Sequence, residues 1–96
     1  MSEVNGYTRE VLFDSPLFEV VSCQWAQGVV SPTHNHGQSQ CYTLIKNGVF
    51  ENTTYFASKL ETTILESGQS LSIPPYTNHG MKCLSKMGES IHVYTP

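Results

Sequence analysis

Four histidines carry the most informative pattern in this 96-residue chain. His34 and His36 are separated by one residue, and side chains at positions i and i+2 of an extended strand point to the same face. Two imidazoles on one face can bind a single metal ion, and a third from elsewhere in the chain can complete the set. Neutral imidazole nitrogens suit iron, zinc, copper or nickel. The same H-x-H pattern also occurs on polar loops that bind no metal.

Strands are the elements that must position these histidines. Short segments rich in Val, Ile, Thr, Tyr and Phe alternate with Gly, Pro, Asn and Ser, and no segment has a helical pattern. This composition is typical of an all-β sandwich or barrel. The predicted strands are Val11–Phe13, Leu17–Gln24, Gln40–Lys46, Val49–Phe56, Glu61–Leu65, Ser70–Ile73, Gly80–Leu84 and Ser90–Tyr94.

Turn residues divide these strands. Asn47-Gly48 predicts a β-hairpin, because a type I′ turn needs positive φ at both central residues. Pro74-Pro75 predicts a loop leading to His79, since two prolines are incompatible with a central strand. The polar tail Met1–Asn5 is expected to fray.

Composition excludes several classes of protein. A hydrophobic fraction of 39% supports a folded core, and a formal net charge of −3 disfavours a nucleic-acid partner. No segment approaches the roughly 18 apolar residues of a membrane span. Met1–Glu10 is polar, so it does not resemble a signal peptide. Without such a leader, the three cysteines (Cys23, Cys41 and Cys83) are expected to be reduced thiols in the cytoplasm.

The spacing around the first histidine pair resembles a known motif. Five residues separate Gly28 from His34, and four separate His36 from Cys41; six more lead to Gly48. This is similar to the first motif of the cupin superfamily, G-x5-H-x-H-x4-E-x6-G, with cysteine in place of the glutamate.

A second motif follows in the expected order. Five residues separate Gly68 from Pro74, and two residues separate Tyr76 from His79. This resembles the second cupin motif, G-x5-P-x-G-x2-H-x3-N, with Tyr76 in place of its glycine and Cys83 in place of its asparagine. Two motifs in order are far more specific than either alone.

The cupin resemblance implies a fold and a ligand set. The expected fold is all-β, a single cupin domain over residues 1–96 that forms a double-stranded β-helix, or jelly-roll barrel. The implied metal ligands are His34, His36 and His79, with no acid in the fourth position because Cys41 occupies it. Such a neutral set leaves the full charge of a divalent ion available to a substrate thiolate.

The cysteine narrows the resemblance to the thiol dioxygenases, in particular cysteine dioxygenase. The H-x-H-x4-C block ending at Cys41 is similar to that family, and Ser90, His92 and Tyr94 alternate along one strand as in its Ser-His-Tyr trio. The resemblance implies catalytic roles for these four residues. In the family the trio is a hydrogen-bonded chain, and the cysteine can form a thioether bond with the tyrosine.

The same resemblance extends to the amino-terminal part of the chain. Tyr7 and Arg9 match a Tyr-Thr-Arg segment whose arginine binds the substrate carboxylate, and Trp25 matches a family tryptophan. The implied activity is oxidation of L-cysteine to its sulfinic acid. One Fe(II) per chain would be the cofactor, with a small thiol, chelated through thiolate and amine, and O2 as partners.

Other interpretations remain open. The family has a helical segment before Tyr7 and an extension after the tyrosine strand that this sequence lacks. Another thiol such as 3-mercaptopropionate is one alternative, although the branch that prefers it has glutamine at the position of Arg9. A zinc site that activates water, and a cupin that only binds a small ligand, are the others. A homodimer through edge strands is compatible with the sequence.

Overall fold

The computed structural model describes residues 2–4, 7–31, 33–56 and 58–95. These residues form strands and no helix, which confirms the all-β prediction; nothing in them has the helical length and apolar character needed to cross a bilayer. The strands are β1 (Ser2–Val4), β2 (Tyr7–Asp14), β3 (Glu19–Ala26), β4 (Gln40–Asn47), β5 (Val49–Phe56), β6 (Lys59–Glu66), β7 (Ser70–Ile73), β8 (Asn78–Cys83) and β9 (Met87–Thr95).

Two antiparallel sheets face each other. The larger has six strands in the order β1-β2-β3-β9-β4-β7, and the smaller has three in the order β6-β5-β8. From β4 onward the chain passes repeatedly between the sheets, so that β9 inserts between β3 and β4. This winding is the double-stranded β-helix that the sequence predicted.

The hydrophobic core lies between the sheets and follows the alternation of each strand. On β3, Val21, Cys23 and Trp25 point inward and are buried. The ring of Trp25 meets Phe50 of the smaller sheet edge to face, with centroids 5.4 Å apart. Because side chains alternate between the two faces of a strand, the other odd-numbered positions of β3 also point towards the space between the sheets.

The predicted hairpin at Asn47-Gly48 is wrong. β4 pairs with β7 and β9, whereas β5 pairs with β6 and β8, so the chain changes sheets at this point. Gly48 has φ +90°, and a Cβ there would lie 2.5 Å from Ser85 Oγ and 2.6 Å from Met87 O. The glycine is therefore required by a crowded corner between the sheets and not by a type I′ turn.

Strand positions agree with the sequence prediction more closely than strand ends do. Each predicted strand coincides with an observed one, but β8 begins at Asn78, so His79 lies on a strand and not in the loop before it. The expectation of a frayed tail is wrong for Ser2–Val4, which pairs with β2. The remaining tail positions, Met1 and Asn5, lie outside the described residues.

The loop between β7 and β8 has a left-handed residue where the second cupin motif has glycine. Tyr76 has φ +57°, a conformation that costs a non-glycine residue roughly 1–2 kcal/mol. Its backbone N–H donates to Gly37 O at 2.7 Å. This bond ties the loop before His79 to the segment that carries His36, so the backbone keeps the glycine conformation even though the side chain has changed.

Candidate metal centre

Three histidines converge where β8 meets the connection between β3 and β4. His34 and His79 form an isolated antiparallel bridge, in which each backbone N–H donates to the other residue's carbonyl, at 3.0 and 2.8 Å. His36 follows in the loop, and its ring centroid lies 4.8 Å from that of His34. The two residues of the H-x-H pair are therefore brought together by one bridge and a loop, and not by a regular strand.

The ring nitrogens of these histidines are close enough to share one ion. One nitrogen from each of His34, His36 and His79 lies within 4.8 Å of the others, and the Nε2 atoms of His36 and His79 are 2.9 Å apart. Two nitrogens bound to one metal at about 2.1 Å and a right angle would lie about 3 Å apart. The separation of the His36 and His79 nitrogens and the imidazole chemistry of all three donors both fit a first-row transition metal.

Asn52 fixes the orientation of the His79 ring. Asn52 is 1% exposed, and its Oδ1 lies 3.0 Å from His79 Nδ1, while its Nδ2 donates to Thr54 Oγ1 at 3.0 Å. A carbonyl oxygen can only accept, so His79 Nδ1 carries the hydrogen and donates it. The lone pair of His79 is therefore on Nε2, which is the atom nearest His36, and this arrangement is common behind metal-bound imidazoles.

Burial keeps the imidazoles of His36 and His79 neutral. Desolvation and, to a smaller extent, repulsion from the neighbouring His34 together lower the pKa of His36 to about 4. Desolvation first, and then repulsion from His34, His36 and His92, together lower the pKa of His79 to about 3. Because only a neutral imidazole has a lone pair to give, these two side chains can bind metal near neutral pH without first losing a proton.

A cavity of about 500 Å³ opens beside the histidines. A smaller pocket of about 40 Å³ lies further in and reaches His79 and His92. The predicted site residues that line the larger cavity are Tyr7, Arg9, His34, His36 and Tyr94. The structure thus brings together the predicted metal ligands and the predicted substrate-binding residues.

The inner faces of β2 and β3 position the charged wall of this cavity. Tyr7 stacks on Trp25, its neighbour across the strands, with ring centroids 4.3 Å apart. Arg9 Nη2 donates to Glu19 Oε1 at 3.1 Å, and both side chains are about one-third exposed, at 36% and 32%. The predicted carboxylate-binding arginine therefore has an acidic neighbour in the same cavity.

Cys41 and Tyr94 lie side by side on the inner face of the larger sheet. They are directly opposite each other in the β4–β9 pairing, and opposite residues of neighbouring strands share a face. The Tyr94 ring lies 4.9 Å from the ring of His36, between centroids, whereas Cys41 is fully buried behind the cavity wall. Both residues therefore face the metal side of the sheet.

His92 does not make the contact that the family resemblance implied. Its Nε2 lies 2.7 Å from Ser90 Oγ, and its Nδ1 lies 3.0 Å from Thr43 Oγ1. With both ring nitrogens paired in this way, the hydrogen-bonded Ser-His-Tyr chain that the resemblance implied is wrong in its last link, from His92 to the Tyr94 hydroxyl. The two rings are instead nearly parallel, with centroids 6.2 Å apart.

A buried hydrogen-bond chain replaces the predicted trio. Trp25 Nε1 donates to Ser90 Oγ at 3.0 Å, and Ser90 contacts His92, which contacts Thr43. Thr43 Oγ1 lies 3.6 Å from Cys41 Sγ, so the chain ends at the thiol and not at the tyrosine. Desolvation lowers the pKa of His92 to about 4, which keeps this imidazole neutral within the chain.

Burial also sets the protonation of the two residues at the end of the sheet. Desolvation raises the pKa of the Cys41 thiol to about 11, although its bond to Thr43 acts in the opposite direction. Desolvation raises the pKa of Tyr94 as well, and the nearby Cys41 adds to the effect. Both groups are therefore protonated near neutral pH before any metal binds.

Sequence reasoning missed three residues of the site: Glu19, Thr43 and Asn52. Each lies inside a predicted strand and has the same parity as buried apolar neighbours, such as Phe50 in the case of Asn52. Strand alternation would therefore have placed all three on the inner face. Buried polar side chains at such positions need partners, and here the partners are Arg9, His92 and His79.

Similarity to known proteins appears in the fold. No protein-family model matches the chain, and no curated protein matches it by sequence. KdgF from Halomonas sp. has a TM-score of 0.89 and 22% identity, with 100% of this chain and 85% of that chain covered. An RmlC-like cupin from Shewanella frigidimarina NCIMB 400 has a TM-score of 0.86 and 20% identity, covering 99% of this chain and 80% of that one.

A larger protein contains the same architecture. Oxalate oxidase has a TM-score of 0.85 and 16% identity; the alignment covers 98% of this chain but only 53% of that one. At such identities these likenesses show the fold alone. They confirm the cupin-type double-stranded β-helix, whereas the narrower resemblance to cysteine dioxygenase is a matter for a proposal.

Proposed function

We propose that this protein is an iron-dependent thiol dioxygenase that oxidises L-cysteine to cysteine sulfinic acid with O2, holding one Fe(II) per chain. The observation that carries the proposal is the cluster of His34, His36 and His79, an all-imidazole donor set beside a cavity that Arg9 and Tyr94 line. Fe(II) would supply the redox chemistry that allows dioxygen to react with a thiolate. Three neutral ligands leave the charge of the ion for that thiolate.

The balance of the reaction is simple. Cysteine enters as a thiolate, both atoms of dioxygen end on its sulfur, and the electrons lost by the sulfur are those gained by the oxygen. The protein's own part is to bind and orient the substrate. In this proposal Arg9 binds the substrate carboxylate, Tyr7 supports the cavity wall, and the Tyr94 hydroxyl lies beside the reacting sulfur. Ser90 and His92 position Cys41 from behind the cavity wall, because their hydrogen bonds reach the Cys41 thiol through Thr43.

Two features support this activity over a simple binding function. The all-imidazole cluster has no carboxylate in it, and the cavity beside it combines a guanidinium with a phenol. A reducing compartment such as the cytoplasm belongs to the same proposal, since all three cysteines are buried and free of disulfides.

The test is oxygen uptake after anaerobic loading with Fe(II). We expect O2 consumption that depends on L-cysteine, and cysteine sulfinic acid as the product by mass spectrometry. Zinc-loaded protein is the matched control and should consume no oxygen, because zinc has no redox chemistry. Elemental analysis of protein as purified belongs with this assay. Full zinc occupancy in the purified protein, together with no oxygen uptake after iron loading, would instead favour a hydrolytic or ligand-binding cupin. Oxygen uptake with 3-mercaptopropionate but not with L-cysteine would identify 3-mercaptopropionate as the substrate.

A thioether between Cys41 and Tyr94 is part of the proposal. Their position opposite each other on β4 and β9 supports it, since the sulfur and the ring share one face of the sheet. Formation of the bond removes one hydrogen from the sulfur and one from the ring, and dioxygen takes up both protons and both electrons. The bond would hold the tyrosine still and remove a thiol that competes with the substrate.

Intact mass should reveal this bond. After turnover with iron and cysteine in air, we expect a loss of about 2 Da from the wild-type protein and none from Cys41→Ser or Tyr94→Phe. The unlinked variants should still turn over, although more slowly, because neither residue is a proposed metal ligand. An unchanged mass in active wild-type protein would show that the bond does not form.

A further inference from the structure

The cavity holds a pair of opposite charges, of which the proposed reaction uses only Arg9. Arg9 and Glu19 both point inward from neighbouring strands, and the guanidinium donates to the carboxylate at 3.1 Å. Glu19 is the neighbour of Tyr94 across β3 and β9, so the carboxylate lies at the same end of the cavity as that tyrosine. A substrate carboxylate that reaches Arg9 therefore also approaches Glu19.

This arrangement is unfavourable for a ligand with negative charge only. Glu19 lines the cavity beside Arg9 and its side chain is only about one-third exposed, so one carboxylate and one guanidinium already balance each other at this end. A ligand with a carboxylate alone brings a second negative charge next to Glu19, whereas a ligand that also carries a positive group can pair with both residues. A guanidinium presents its donors as a planar fork, so Arg9 can bond to a ligand carboxylate and to Glu19 at once.

We propose that Glu19 and Arg9 together recognise a zwitterionic α-amino acid, with the ligand's ammonium group on Glu19 and its carboxylate on Arg9. Glu19 is then a specificity-determining residue, which selects aminothiol acids over thiols that carry a carboxylate but no amino group. The identity of the thiol rests on the proposed function. The inference differs from the resemblance in one respect, because the amino group is held by the protein and is not bound to the metal.

Calorimetry on iron-loaded protein under nitrogen tests this inference without turnover. The ligands are L-cysteine and 3-mercaptopropionate, which differ in the α-amino group. We expect wild-type protein to prefer cysteine, and Glu19→Gln to reduce the ratio of the two affinities about tenfold, a typical effect of losing one charged hydrogen bond. In Glu19→Gln, 3-mercaptopropionate should bind more tightly and cysteine more weakly than in the wild type.

Glu10→Gln is the matched control. It removes the same charge one residue from Arg9, but Glu10 does not line the cavity among the described residues, so its affinity ratio should equal that of the wild type. If the metal takes the amino group instead, cysteine preference survives in Glu19→Gln and the inference is wrong. Failure of wild-type protein to bind cysteine at millimolar concentration also overturns it.

Failure of the proposed function would look different. In that case no thiol would drive oxygen uptake, whereas the anaerobic affinity ratio and its dependence on Glu19 would still be measurable. If Glu19 only holds Arg9 in place, Glu19→Gln should weaken the binding of both ligands by the same factor. Only a change in the ratio supports recognition of the ammonium group.

Discussion

His79→Ala is expected to lose most of its iron. His79 is 2% exposed, and Asn52 holds its ring so that Nε2 lies 2.9 Å from the Nε2 of His36. A catalytic site of this kind has three protein ligands, so the loss of one leaves two imidazoles, too few to keep the ion through dialysis. The measurement is the iron content per chain after anaerobic loading and dialysis. Full occupancy in His79→Ala would contradict the assignment of the metal centre.

Two further variants make this result specific. Asn52→Ala keeps all three ligands but frees the ring of His79, so we expect iron affinity to fall about 10–100-fold. His92→Gln is the matched control, because His92 is also a buried histidine but is paired with Ser90 and Thr43. It should keep its iron, provided that circular dichroism shows a folded protein. If only this control lost its iron, the metal site would have to lie in another part of the barrel.

Local sequence signals predicted the strands because each strand fills one face of a common core. The alternation of Val21, Cys23 and Trp25 on β3 is visible in the sequence and corresponds to burial in the structure. The two cupin spacings likewise predicted which histidines meet. His34 and His79 are 45 residues apart in the chain, yet they pair as neighbours. The spacings capture this contact because they reflect the winding of the whole barrel.

The errors arose where non-local packing overrides a local preference. Asn47-Gly48 has the composition of a hairpin turn, but the chain crosses between the sheets there, and the glycine is needed because Ser85 and Met87 leave no room for a side chain. No single strand pattern encodes which strands become neighbours. His92 is a similar case, since the position of Thr43 opposite it on β4 decides the hydrogen bond, and that pairing depends on the register between β4 and β9.

Arg9→Ala is expected to weaken the use of L-cysteine strongly. Removal of one partner of a buried charged pair typically costs about 2–5 kcal/mol, and the 36% exposure of the Arg9 side chain favours the lower end, roughly a thirtyfold loss in kcat/KM. Cysteamine has no carboxylate, so it should be a poor substrate of the wild type and should lose little in the variant. Lys46→Ala is the matched control, because its ammonium pairs with Glu89 away from the cavity.

The acidic neighbour sharpens this expectation. In Arg9→Ala the Glu19 carboxylate loses its partner and repels the substrate carboxylate, so part of the loss comes from Glu19 and not from the missing guanidinium. Glu19→Gln should therefore improve the binding of 3-mercaptopropionate by a larger factor in Arg9→Ala than in the wild type, whereas the two factors would be equal if the residues acted independently. Equal rates on cysteine and cysteamine in the wild type would remove Arg9 from the site. Substrate recognition would then have to come from the metal and Tyr94.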